Sequence, residues 1–148
     1  FKVTDRLLSG RLCIASMNLA LCKKVLCQTV RYSQQRLAVG EDGKSNAPIM
    51  SFQLQQNAIL PLIAKTVVYN FGHNEGKQIF ANQEGRKHEV IKTLCVIKAM
   101  MTWHGEKTSR ICRERCGGGS YLESSLIGQG VIGTHSGITA EGDNSVLM

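Results

Sequence analysis

The chain has 148 residues, 43% of them hydrophobic, and its 18 Lys and Arg against 11 Asp and Glu leave a net charge of +7. That length suits one domain with a real core, and no apolar run approaches the roughly 20 residues that cross a bilayer. Basic residues recur along the chain with only four Phe, three Tyr and one Trp among them, which argues against the basic, aromatic-interleaved stripe of a nucleic-acid binder and for an acidic ligand or partner, such as a phosphate-rich cofactor.

The first predicted element is a helix from about Thr4 to Arg31. Leu8, Leu12, Ala15, Leu19, Cys22, Leu26 and Val30 recur at steps of three and four on one face. A second row, Gly10, Ile14, Met17, Leu21 and Val25, lies beside it, so burial against more than one neighbour is expected. Asp5, Lys23, Lys24 and Gln28 fall on the wet side. Gly10 costs about 1 kcal/mol of helix stability against Ala, which points to a close approach by another helix. The helix runs out through Arg31-Tyr-Ser-Gln-Gln-Arg36 into a breaker-rich loop over residues 41–48.

A second helix is predicted from about Met50 to Phe71, fraying toward Phe80, with a kink at Pro61 because proline removes a donor and clashes with the preceding turn. The polar stretch between Gly72 and Lys87, with Gly72, Gly76 and Gly85, reads as a connection. A third helix is predicted from about His88 to Cys116, with Val90, Leu94, Ile97 and Met101 on one face. Within it, His104 and Glu106 project apart, so packing and interhelical hydrogen bonding suit His104 better than acid–base work. Cys112 and Cys116 share a face with His104, but no second pair closes a metal site, and buried structural cysteines are expected. The six cysteines lack a secreted framework and no signal peptide opens the sequence, so a reducing compartment is expected.

The third helix stops at Gly117-Gly-Gly-Ser120, where glycines permit left-handed angles and close approach of another group. Tyr121 to Thr134 then covers the end of the bundle. The last stretch, Ile138-Thr-Ala-Glu-Gly-Asp-Asn-Ser-Val-Leu-Met148, places Glu141 on a turn between an apolar, β-favouring run and a new helix. Asp143 or Asn144 can cap that helix. A carboxylate so held is a candidate proton-abstracting base or the ordinary neighbour of a helix cap. Three long helices without an alternating strand pattern give an all-α antiparallel bundle.

Together Arg31–Arg36, Cys112–Tyr121 and Ile138–Met148 resemble the carboxy-terminal helical half of the acyl-CoA oxidases, flavoenzymes of the acyl-CoA dehydrogenase superfamily. The resemblance covers nearly the whole chain, with Val39 where the family usually has an aromatic and Ser120 where it has a glycine. It implies α,β-dehydrogenation of a fatty acyl-CoA, with Glu141 taking the α-proton while the β-hydride moves to FAD, and reduced flavin reoxidised by oxygen. It also implies that Arg36 contacts the flavin pyrophosphate, commonly across a subunit interface. Gln53 would lie near the flavin, with Gly117 and Gly118 against its nucleotide portion. No metal is implied. Residues 1–148 are expected to be one such domain, from a longer oxidase or from a shortened chain that serves as a non-catalytic structural subunit of a larger assembly. A homodimer or protein partner covering the exposed bundle face, and a peroxisomal location, complete the expectation.

Overall fold

The computed structural model describes the backbone of residues 2–148 and side chains from Arg6 onward, so the expectation for Asp5 lies outside the described side chains. Three long helices, α1 (Lys2–Gln35), α2 (Gln53–Ala81) and α3 (Lys87–Cys116), form the bundle. The all-α architecture follows the periodicity of the apolar rows. Leu8, Leu12, Ala15, Leu19, Cys22 and Leu26 are all buried.

Three clusters run up the bundle. Leu8 and Leu12 meet Val90, Leu94, Ile79 and Phe80 at one end, Ala15 and Leu19 meet Met101 and Tyr69 in the middle, and Cys22, Val25 and Leu26 meet Ile59, Leu62, Cys112 and Cys116 at the other. The pairing makes α1 and α3 parallel, with α2 antiparallel to both. The crossing between α1 and α2 is a two-residue antiparallel ladder, Leu37–Ala38 against Ala47–Pro48, closed by turns over 41–45.

Two parts of the sequence reading are corrected. The stretch predicted as a connection after Gly72 is mostly helix: α2 continues through Pro61 to Ala81, leaving only residues 82–86 as the turn. Tertiary contacts outweigh the weak local propensity of its glycines. His73 is buried with Nε2 3.1 Å from the Leu12 carbonyl, and a Cβ on Gly76 would lie 2.4 Å from Cδ1 of Ile97. The apolar run before Glu141 is also helical, forming α4 (Ile127–Ser136). Its glycines let α4 lie flat and antiparallel on α1: a Cβ on Gly130 would lie 2.2 Å from Val25, and one on Gly133 2.9 Å from Leu21. The second apolar row of α1 is thereby covered at Leu21 and Val25, while Met17 stays exposed. A last turn of helix, α5 (Asn144–Leu147), closes the chain, capped by Asp143 as the sequence suggested.

Not every cysteine is structural. Cys22, Cys112 and Cys116 are buried, whereas Cys13 and Cys27 are exposed and all six are free. Burial pushes the Cys112 thiol up to about 12, so it stays protonated, and no group of metal-ligating side chains assembles among the described residues. No helix among them is long and apolar enough to cross a membrane.

Candidate functional site

The chain leaves α4 at Ser136 and descends along α1 toward its amino-terminal end, where it turns back at Glu141. Glu141 has φ 58° and Gly142 φ 107°. The left-handed region is disfavoured for a residue with a Cβ, so this conformation is imposed by what holds the turn.

Lys98 of α3 does most of the holding. Its ammonium donates to the Ile138 carbonyl at 2.9 Å, the Gly142 carbonyl at 2.6 Å and Oδ1 of Asn144 at 2.8 Å. Three donors meet three oxygens, in a side chain with 0% exposure. Burial lowers the Lys98 pKa from its ordinary value, an effect opposed by the negative charge of Asp143, reinforced by Arg11 and opposed again by Glu141. The Asn144 amide completes the junction by donating to the Ala99 carbonyl and to Oγ1 of Thr102.

On the other side the turn rests on α1. Nε of Arg11 donates to the Glu141 carbonyl at 3.2 Å. The Glu141 carboxyl lies over Gly10, where a Cβ would stand 2.6 Å from its Cδ and Oε1. The close approach expected at Gly10 is therefore made by this side chain and not by a helix. Glu141 is exposed, and its carboxylate has no hydrogen-bond or ion-pair partner among the described residues. An accessible carboxylate with free lone pairs, on a turn fixed from both sides, can accept a proton from a molecule laid against it.

Arg36, Gln53, Gly117 and Gly118 gather at the opposite end of the bundle. Arg36 follows the last turn of α1, its carbonyl accepting from Ile49 N at 2.9 Å, and its exposed guanidinium has no partner among the described residues. Gln53 opens α2 with its side chain exposed. Two residues on, buried Gln55 donates to Ser33 Oγ at 2.8 Å and reaches the Arg115 carbonyl at 3.4 Å, tying the ends of α1, α2 and α3 together. Gly117 caps α3 with φ 53° and ψ −135°, while a Cβ on Gly118 would meet nothing within 4 Å. Nothing among the described residues requires Gly118 to be bare, which leaves room for the approach of an outside group. Ser120 is buried and donates to the Gly117 carbonyl at 2.6 Å, so the loop closes without the family's extra glycine. These groups fit a dinucleotide: a free guanidinium, a free amide and bare backbone at one helix-bundle end.

The sequence-predicted cofactor residues thus come together, but Glu141 does not join them. From Gly10 to the end of α1 is about 40 Å at roughly 1.5 Å per residue. Sequence reasoning missed Lys98, Arg11 and Asn144 as holders of the turn. The signal for Lys98 was present: it follows Val90 and Leu94 at steps of four, a lysine on an apolar face. His104 does what the sequence suggested. Thr66 donates its hydroxyl proton to the Leu62 carbonyl, and its oxygen lies 2.8 Å from Nε2 of His104.

Comparison of this fold with solved structures defines its class, the helical domain of acyl-CoA oxidases. An acyl-CoA oxidase of tomato (Lycopersicon esculentum) superimposes with TM-score 0.86 at 25% identity, over 95% of this chain and 23% of that one. A Caenorhabditis elegans acyl-CoA oxidase-1 solved with FAD and ATP gives 0.88 at 20% identity, over 95% and 22%. The chain belongs to the acyl-CoA oxidase C-alpha1 domain family, whose model matches residues 5–148. Among curated relatives, peroxisomal acyl-coenzyme A oxidase 3 of Arabidopsis thaliana is 35% identical over 146 residues, 96% of this chain and 21% of the relative. Human peroxisomal acyl-coenzyme A oxidase 3 is 27% identical over 156 residues, 95% of this chain and 22% of the relative. The chain spans about a fifth of the length of these relatives.

Proposed function

We propose that this chain acts as the carboxy-terminal helical domain of a peroxisomal, FAD-dependent acyl-CoA oxidase, and that Glu141 is the base that removes the α-proton of a fatty acyl-CoA thioester. The observation that carries this reading is the accessible carboxylate of Glu141, seated over Gly10 in a left-handed turn bound to both α1 and α3. A carboxylate is a weak base toward such a C–H bond. Rate must come from fixed orientation, from exclusion of water and from donors that stabilise charge developing on the thioester oxygen.

When bound, flavin supplies the acceptor for the β-hydride and passes the electrons on to oxygen. The residues here that would hold it are Arg36, whose guanidinium fork matches pyrophosphate oxygens, Gln53, and the backbone of Gly117 and Gly118. Because this group stands about 40 Å along the bundle from Glu141, the reading assigns the two ends to different flavins. A homodimer then completes each site with Glu141 from one copy and Arg36 from the other.

The test is a visible spectrum of the natively purified protein, followed by anaerobic addition of a fatty acyl-CoA. Flavin bands that bleach, and fail to bleach in Glu141→Gln, support the base. Flavin-free material, or bleaching that survives the substitution, overturns it; flavin-free material leaves a helical module used in assembly.

A further inference from the structure

We propose that Lys98 is a positioning residue for the reaction: its ammonium fixes the turn over residues 138–144 and so sets where the Glu141 carboxylate stands. The inference rests on the reading of Glu141 as base. It goes beyond that reading by naming the group on α3 that makes the base geometry possible.

Lys98 binds the chain on both sides of Glu141, at Ile138 before it and at Gly142 and Asn144 after it. A chain gripped at those points has little freedom to return Glu141 to the right-handed or extended regions that a residue with a Cβ prefers. None of the three acceptors is a carboxylate. The ammonium therefore holds the turn without bonding to the carboxylate that the turn presents, although the two charges act on each other through space. A second fixed point comes from α1, through Arg11 and the bare surface of Gly10, so the base is located against two packed helices and not by its own loop.

A purely hydrophobic residue at this place on α3 would continue the row of Val90 and Leu94. The turn would then face buried carbonyl oxygens with no donor, and would open to satisfy them from water. Simple core stabilisation does not call for a lysine here. A group with three donors on a long stem does suit three oxygens spread across seven residues.

Lys98→Met and Lys98→Gln, compared with Glu141→Gln in the flavin-loaded holoenzyme, test this. The expected result is full flavin content and an acyl-CoA affinity unchanged within about twofold, with the rate of flavin reduction per bound flavin lowered about 10- to 100-fold in Lys98→Met, as misplacement of a reacting group by about 1 Å implies. Lys98→Gln, which keeps an amide donor, should fall less. Independently of activity, amide hydrogen exchange of the flavin-free protein should lose protection over residues 138–144, the Asn144 amide included, while the buried stretches of α1 and α3 keep theirs. Unchanged reduction rates in both Lys98 variants would overturn the proposal. So would losses that only track lost flavin or lost folded protein in both variants, since these assign Lys98 to stability alone. Reduction that survives in Glu141→Gln would sink the base itself, and that arm separates this failure from failure of the lysine alone.

Discussion

Glu141 occupies a backbone conformation that costs about 1–3 kcal/mol for a residue with a Cβ, and its side chain is accommodated because position 10 has none. The two facts belong together. With φ at 58° the Glu141 carboxyl reaches across to α1, and a Cβ on Gly10 would stand 2.6 Å from its Cδ and Oε1. This separates stability from activity in a single substitution. Gly10→Ala improves helix propensity by about 1 kcal/mol, and the group it displaces is the far end of a flexible side chain. We expect the melting temperature of Gly10→Ala to be equal to or above that of the parent, while the flavin-reduction rate with acyl-CoA falls about tenfold. A melting temperature that drops together with the rate would show that Gly10 serves packing alone. At this scale the sequence was informative about where and silent about what. A glycine inside an amphipathic helix marks a close approach, but its partner is 131 positions away in sequence, and only the path of α4 brings them into contact.

At the scale of elements, α2 is joined to its neighbours through buried polar contacts as well as apolar ones. Thr66 Oγ1 lies 2.8 Å from His104 Nε2 and 3.3 Å from Cys22 Sγ, and Tyr69 sits edge-on to the His104 ring with centroids 4.9 Å apart. Burial, then the positive charges of Lys65 and Lys107, lower the His104 pKa to about 4, against about 6.5 in an unfolded chain. Between those values the unfolded chain binds the proton and the folded one does not. The neutral ring's contribution is therefore fully present above about pH 6.5 and is lost as pH falls toward 4. Thermal unfolding of the parent and of His104→Gln between pH 7 and 4.5 should differ in slope, with the parent losing on the order of 2 kcal/mol more. Parallel curves would show that His104 does not carry the acid sensitivity. The pattern of the sequence made α1 and α3 legible because their apolar rows are continuous. The end of α2 and all of α4 were hidden because glycines mark them as breakers, and their helicity comes from α1 and α3 pressing against them. For α4 the same glycines that weaken the helix permit the contact with Val25 and Leu21.

For the whole molecule, the consequential dimension is the length of α1. One end presents Arg36, Gln53, Gly117 and Gly118, the other presents Glu141, and about 40 Å of helix separates them. The motifs nominated each set, but not their separation, because the parallel run of α1 and α3 and the return of α4 along α1 are tertiary facts. The outward face of α2 adds Leu60, Val67, Val68 and Phe71, more than half exposed, beside an open apolar groove of ≈ 580 Å³ lined in part by Leu26, Val30, Ile63 and Phe71. Contiguous apolar surface of this kind favours association, and under the proposed reading a pair of copies would bring Arg36 of one and Glu141 of the other to the same flavin. Mixed dimers decide the matter. When Glu141→Gln is co-expressed with Arg36→Ala and the heterodimer is isolated on two different affinity tags, one composite site carries both defects and the other carries neither. The heterodimer should then recover about half of the parental rate at limiting flavin, although each homodimer is impaired, and the stoichiometry follows from counting intact sites. If Glu141 and Arg36 of the same copy served one flavin, every site in the heterodimer would carry one defect and no recovery would appear.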